Sequence, residues 1–173
     1  MRHVLIALAL LAAPASAKIV AADSHGFALH HSVEVAVPPA RAWAALVRVQ
    51  DWWSKDHTYS GKAERLSLDP RPGGCFCERL DGGGGVEHMR VALTQPGEHL
   101  VLTGGLGPLL FEATAGVMDI TIAKTPGGAR ITLDYRVAGF GRANGSDLAP
   151  GVDQVIAEQL KRLAAAAARP PKR

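Results

Sequence analysis

The chain has 173 residues, 47% of them hydrophobic, and carries 19 Lys plus Arg against 16 Asp plus Glu, a formal net charge of +3. So mild a balance, with the basic residues scattered, lacks the electrostatic footprint of a nucleic-acid-binding protein. Two cysteines are too few for a disulfide-built scaffold.

In chain order the first feature is Arg2-His3, an apolar run from Val4 to Ala13, then Pro14 and Ala15-Ser16-Ala17. That sequence of charge, short apolar stretch and small residues predicts a secretory signal, residues 1–17, cleaved after Ala17. Spanning a bilayer takes roughly 20 apolar residues, about twice this run, so no membrane span is expected once the signal is removed. No Cys stands at the cleavage point to carry a lipid. The protein is therefore expected to be exported, to the periplasm or medium. What remains, 173 − 17 = 156 residues, suits one domain; only Arg2 is lost among the charges, leaving 18 basic against 16 acidic residues.

Residues 18–26 read as a loose lead-in. Leu29, His31, Val33, Val35 and Val37 alternate with His30, Ser32, Glu34 and Ala36, the pattern of a strand with one buried face. Pro38-Pro39 ends it, residues 40–47 read as a short helix, and Asp51-Trp52-Trp53-Ser54 as a second short helix or turn. Residues 62–68 form a weak strand, and Pro70, Pro72, Gly73 and Gly74 a turn. Cys75–Leu80 and Val86–Leu93 are strands joined by Asp81-Gly82-Gly83-Gly84-Gly85, hence a hairpin. Strands over 99–103, 114–123 and 129–137 follow, separated by glycine- and proline-containing turns. In the last of them Ile131, Leu133, Tyr135 and Val137 share one face, as in an antiparallel sheet wet on one side.

From Asp147, a plausible N-cap, the period changes. Leu148, Val152, Val155, Ile156, Leu160, Leu163 and Ala167 fall in one stripe at 100° per residue, so a long amphipathic helix is laid on something apolar. The basic tail Arg169-Pro170-Pro171-Lys172-Arg173 reads as disordered. Strands grouped together, with one long helix to cover them, give the α+β class.

Cys75 and Cys77 are separated only by Phe76. Two residues apart on an extended strand is roughly 6.6 Å, at or beyond the reach of an unstrained bridge, so two reduced thiols are expected. With His88 they supply at most three zinc ligands where a structural site takes four, so no metal is expected.

The strand followed by Pro38-Pro39-Ala40-Arg41-Ala42-Trp43, the Asp51-Trp52-Trp53 stretch and Pro72-Gly73-Gly74-Cys75-Phe76-Cys77-Glu78 resemble the START-like (SRPBCC) superfamily. Within it the chain is most similar to the branch of the activator of Hsp90 ATPase and of polyketide-cyclase-like proteins. The resemblance covers residues 27–168. It implies a helix-grip fold, in which a curved antiparallel sheet wraps a long C-terminal helix, with two short helices after the first strand and a cavity between sheet and helix. The superfamily includes lipid carriers, hormone receptors and aromatic-polyketide cyclases, so the fold does not select a function. An Hsp90 partner is not carried over, because that partner is cytosolic.

Gln159 sits in angle between Val152 and Ile156, inside the apolar stripe, where an unpartnered amide costs on the order of 1–3 kcal/mol. A protein group or a ligand in a cavity must satisfy it. Phe76, Glu78 and Leu80 are expected to share the inward face. A five-residue hairpin loop would pair Glu78 with His88, a four-residue loop with Met89, and the sequence leaves the register open. If they meet, Glu78 and His88 form a candidate acid–base pair; otherwise they are an ordinary cross-strand pair. Trp52, Trp53, His57 and Tyr59 cluster where a helix-grip fold has its cavity mouth. Neither glycine-rich loop ends in Gly-Lys-Ser/Thr, so no nucleotide or other cofactor is expected.

The leading expectation is an exported binding protein for a small hydrophobic or aromatic molecule, contacted by Trp53, His57, Tyr59, Phe76, Glu78, His88 and Gln159. The alternatives are a cyclase-, dehydratase- or isomerase-type enzyme using Glu78 and His88 in the same cavity, and a protein-interaction domain with a filled core. Cavity volume separates them, since ligand pockets run to roughly 300–1,000 Å³.

Overall fold

The structure, a computed structural model, describes residues 16–141 and 143–170. The predicted signal segment up to residue 15 and the last three residues of the predicted tail lie outside them. Eight strands form one antiparallel sheet: β1 (Ser16–Asp23), β2 (Gly26–Val35), β3 (Leu66–Leu68), β4 (Cys75–Arg79), β5 (Gly85–Gln95), β6 (His99–Gly104), β7 (Ala113–Thr125) and β8 (Gly128–Phe140). Their order is β1-β2-β8-β7-β6-β5-β4-β3, so β2 crosses over to pair with β8 while β3 to β8 follow one another as a meander. Helix α1 (Pro39–Leu46) and the long helix α2 (Gly145–Ala168) complete an α+β helix-grip fold, the curled sheet wrapping α2.

The alternation read from the sequence sets the faces. Phe27, Leu29, His31 and Val35 of β2, Met118, Ile120 and Ile122 of β7, and Ile131, Leu133, Tyr135 and Val137 of β8 are all buried. Over them α2 lays Ile156, Gln159, Leu160, Leu163 and Ala167, packing chiefly against β2 and β1. The start of α2 sits directly on the turn between β1 and β2. A Cβ at Gly145 would collide with the carbonyls of Gly26 and Asp23, so only glycine allows that approach.

Four local expectations need correction. Residues 18–26, expected to be loose, belong mostly to β1, which pairs with β2 from Ser16↔Ser32 to Asp23↔Gly26; an alanine-rich stretch lacks strand propensity, and the neighbouring strand's open edge supplies the order. The N-cap of α2 is Asn144; Asp147 lies in the first turn, where a carboxylate meets the helix dipole. The weak strand over 62–68 shrinks to β3, preceded by a 3₁₀ turn at Ala63–Arg65.

The fourth concerns Cys75 and Cys77, expected to be reduced and separate: they form a disulfide, with Cα atoms 5.3 Å apart. Opposite them the register shifts by one residue, from Phe76↔Met89 to Cys77↔Glu87, leaving His88 as an extra residue in β5. Such a bulge bends the pair and increases local twist. The two cysteines stand closer than the roughly 6.6 Å of an ideal extended strand.

Candidate functional site

The connection between α1 and β3 is long and carries little regular structure, and its polar groups are satisfied by stitching it to α2. Arg162 Nε donates to Trp52 O (2.7 Å), and Ser54 N donates to Gln159 Oε1 (2.8 Å). Trp52 Nε1 donates to Leu46 O (3.2 Å) and Trp53 Nε1 to His57 O (2.9 Å). Held in this way, Trp53 packs edge-on against Phe76 of β4, with ring centroids 5.3 Å apart.

The bulge in β5 turns both His88 and Met89 inward, where alternation would send one of them to solvent. Neither expected register occurs, since Glu78 pairs with Val86. His88 nevertheless reaches Glu78 from its bulged position, with Nε2 3.0 Å from Oε2. Glu78, only 1% exposed, also accepts Tyr59 N–H at Oε2 (3.0 Å) and Ser60 N–H at Oε1 (2.5 Å). Burial pushes its pKa up, but the donors from Ser60, Tyr59 and His88 together outweigh burial and hold the carboxyl below its ordinary range. For His88 burial wins over the attraction of Glu78 and lowers the pKa, favouring the neutral ring. That ring packs near those of Phe76 (centroids 5.0 Å apart, planes 35°) and Tyr59 (5.8 Å, 32°).

These groups form one wall of a cavity of about 640 Å³. Trp53, His57, Tyr59 and His88 line that wall; Leu148, Val152, Val155 and Ile156 of α2 face them; Leu106, Gly107, Pro108 and Phe111 form a lip. Tyr59 Oη donates to Gly107 O (2.8 Å), tying the lip to the wall. Phe111, 67% exposed, stands at the opening with its ring 6.3 Å from that of Tyr59. A second depression, about 360 Å³, lies between α1 and the end of α2. Its arginines are engaged there: Arg41 with the carbonyls of Ala167, Ala168 and Arg169, Arg48 with Asp51, and Arg169 with Asp51 O.

Of the residues singled out from the sequence, Trp53, His57, Tyr59 and His88 line the cavity. Phe76 and Glu78 stand immediately behind it, supporting His88. Gln159 points at the protein interior, as its place in the stripe requires, and holds the backbone of Ser54. The lip and the α2 face were not singled out. Leu148, Val152 and Val155 lie on the recognised apolar stripe, yet they are only half-buried because they face the cavity. With both sulfurs bonded, Cys75 and Cys77 present no thiolates to a metal.

Residues 27–168 match the family described as polyketide cyclase / dehydrase and lipid transport. No curated protein matches the chain. Among solved structures, an uncharacterized protein of Rhizobium leguminosarum is similar at 18% identity and a TM-score of 0.62, over 90% of this chain and 98% of that one. A Staphylococcus aureus protein of unknown function is similar at 12% identity and a TM-score of 0.60, over 84% and 94%. A protein of Mesorhizobium loti reaches 20% identity and a TM-score of 0.58, over 80% and 95%. At these identities the likeness is one of fold.

Proposed function

The chain belongs to the polyketide cyclase / dehydrase and lipid transport family, and we propose that it is an exported binding protein for a small apolar or aromatic molecule. The observation that carries this is the cavity. Its volume of about 640 Å³ falls within the roughly 300–1,000 Å³ of ligand pockets, and its walls are apolar with a few polar groups, the usual construction of such sites. A protein-interaction domain with a filled core is disfavoured by that same space. Export is supported by the signal-like residues 1–17 and by the Cys75–Cys77 disulfide, a bond that persists in oxidising compartments. Native mass spectrometry of the protein purified from the periplasm or medium is expected to show an added mass that denaturation releases. The variant Val152→Trp, which fills the cavity from α2, is expected to lose it. An unliganded protein that also takes up no apolar probe would remove the proposal.

The Glu78–His88 contact favours a second function in the same cavity, acid–base catalysis of the cyclase, dehydratase or isomerase kind. A neutral imidazole backed by a carboxylate on a cavity wall is the arrangement of a general base. Returning the released ligand to the protein and following it by mass and NMR separates the two: an unchanged molecule means a carrier, a converted one an enzyme. In the second case His88→Phe should slow turnover by roughly 10²–10⁴-fold.

A further inference from the structure

The Cys75–Cys77 disulfide adds little to the fold. Only Phe76 separates the two cysteines, so closing the bond removes little entropy from the unfolded chain. The strand that carries them is held without it, because ladders run along both edges of β4. Cys77 lies opposite Ser67 of β3 on one side and Glu87 of β5 on the other, and Cys75 lies opposite Arg90. The bond therefore joins two ends of a segment that backbone hydrogen bonds already keep in place.

Its surroundings are open to solvent. Along β4 the side chains of Phe76 and Glu78 are buried, and Cys75 and Cys77, alternating with them on the opposite face of the sheet, are partly exposed. Their neighbours on that outer face, Ser67, Arg79, Glu87 and Arg90, are all exposed. Charge there favours sulfur chemistry. Arg90 faces Cys75, and Arg79 stands two residues beyond Cys77 on the same face. Against these two cations there is the carboxylate of Glu87 opposite Cys77, which is itself bound by Arg90. A cation beside a cysteine favours the thiolate, and a sulfur that is stable as a thiolate leaves a disulfide faster. Exposed disulfides are the labile ones, in contrast to the structural bonds of secreted proteins.

We propose that Cys75–Cys77 is a thiol–disulfide exchange site that oxidises dithiols, an activity separate from the cavity and independent of what the cavity holds. A thiolate of the dithiol attacks one sulfur of the pair and expels the other as a thiolate, which takes up a proton. The second thiol of the dithiol then attacks its own sulfur in the mixed disulfide and frees the remaining cysteine. One disulfide is lost here and one forms in the dithiol, which is the reductant; two electrons and two protons arrive at Cys75 and Cys77. The strand needs no opening for this, since its ladders do not involve the sulfurs.

The test takes the full chain, folded and oxidised, without air. It is mixed in turn with a short peptide carrying two free cysteines and with dihydrolipoamide, then quenched in acid, alkylated and weighed. Both cysteines are expected to become alkylated, with one disulfide formed in the dithiol per chain and the circular dichroism of the protein unchanged. Unfolding in urea should accelerate the reaction by less than about 10-fold, because exposed sulfurs wait on no opening of the fold. Reduction by either dithiol supports the proposal, and the faster of the two identifies the source of the thiols, a polypeptide or a small molecule. A disulfide that survives both in the folded chain and yields only in urea overturns it. So does equal oxidation of the dithiols by the double variant Cys75→Ser, Cys77→Ser, which has no sulfur to exchange.

Discussion

Glu78 concentrates more polar consequence than any other buried side chain described here. Three donors converge on a carboxylate that is 1% exposed, and hydrogen bonds to a charged acceptor are stronger than neutral ones. Glu78→Gln keeps the shape but removes the charge and turns an NH₂ toward donors. It is expected to lower stability by about 2 kcal/mol or more, a fall in Tm of about 4–8 °C for a domain of this size. Thermal melts of the two proteins check this; an unchanged Tm would mean that the three donors do not depend on the carboxylate. Gln159 was equally legible as an inward polar residue from its wheel angle. That it holds Ser54 N–H was not, because Ser54 is 105 residues away in sequence.

At the scale of the element, the β4–β5 hairpin departs most from its ideal. A regular ladder predicts separated thiols at residues 75 and 77; facing the bulge, their Cα atoms instead stand 5.3 Å apart and the sulfurs are bonded. Thiol counting on the denatured, unreduced protein is accordingly expected to find no free group. Two free thiols per chain would contradict the disulfide. Because the closed loop is so short, the chain-entropy stabilisation is small, and Cys75→Ser with Cys77→Ser should cost about 1–2 kcal/mol. The same bulge puts His88 inside.

For the whole molecule, three buried titratable groups impose one pH dependence. His31, 1% exposed beneath α2, has its pKa lowered by burial, which the Asp153 carboxylate 2.9 Å away offsets only in part. His88 is lowered in the same way, and Glu78 lies below its ordinary value. In each case the unfolded chain takes up its proton at a higher pH than the folded one, so acid favours unfolding. For the two histidines that loss starts as the pH falls through the ordinary value of 6.5. For Glu78 it starts below the ordinary 4.5. Urea midpoints should therefore be higher at pH 7.5 than at pH 5.5 and drop again below pH 4.5; a midpoint that rises between pH 7.5 and 5.5 would contradict these directions.

What the sequence determined by itself is what depends on neighbours along the chain. Period-two alternation defined the buried faces of β2 and β8, period 3.6 defined α2 and its stripe, and prolines and glycines marked the turns between them. These properties are local, because side-chain direction repeats with backbone geometry wherever the segment lies. The tertiary structure alone decided the rest. Whether β1 forms depends on β2 offering an edge, and the bulge that moves His88 inward is a relation between two strands that no single strand's pattern contains. Leu148, Val152 and Val155 look identical in sequence to the core positions that follow them on α2. They line a cavity because the groups opposite them, the connection carrying Trp53, His57 and Tyr59 and the lip around Leu106 and Phe111, come from parts of the chain remote in sequence and stand off across that space.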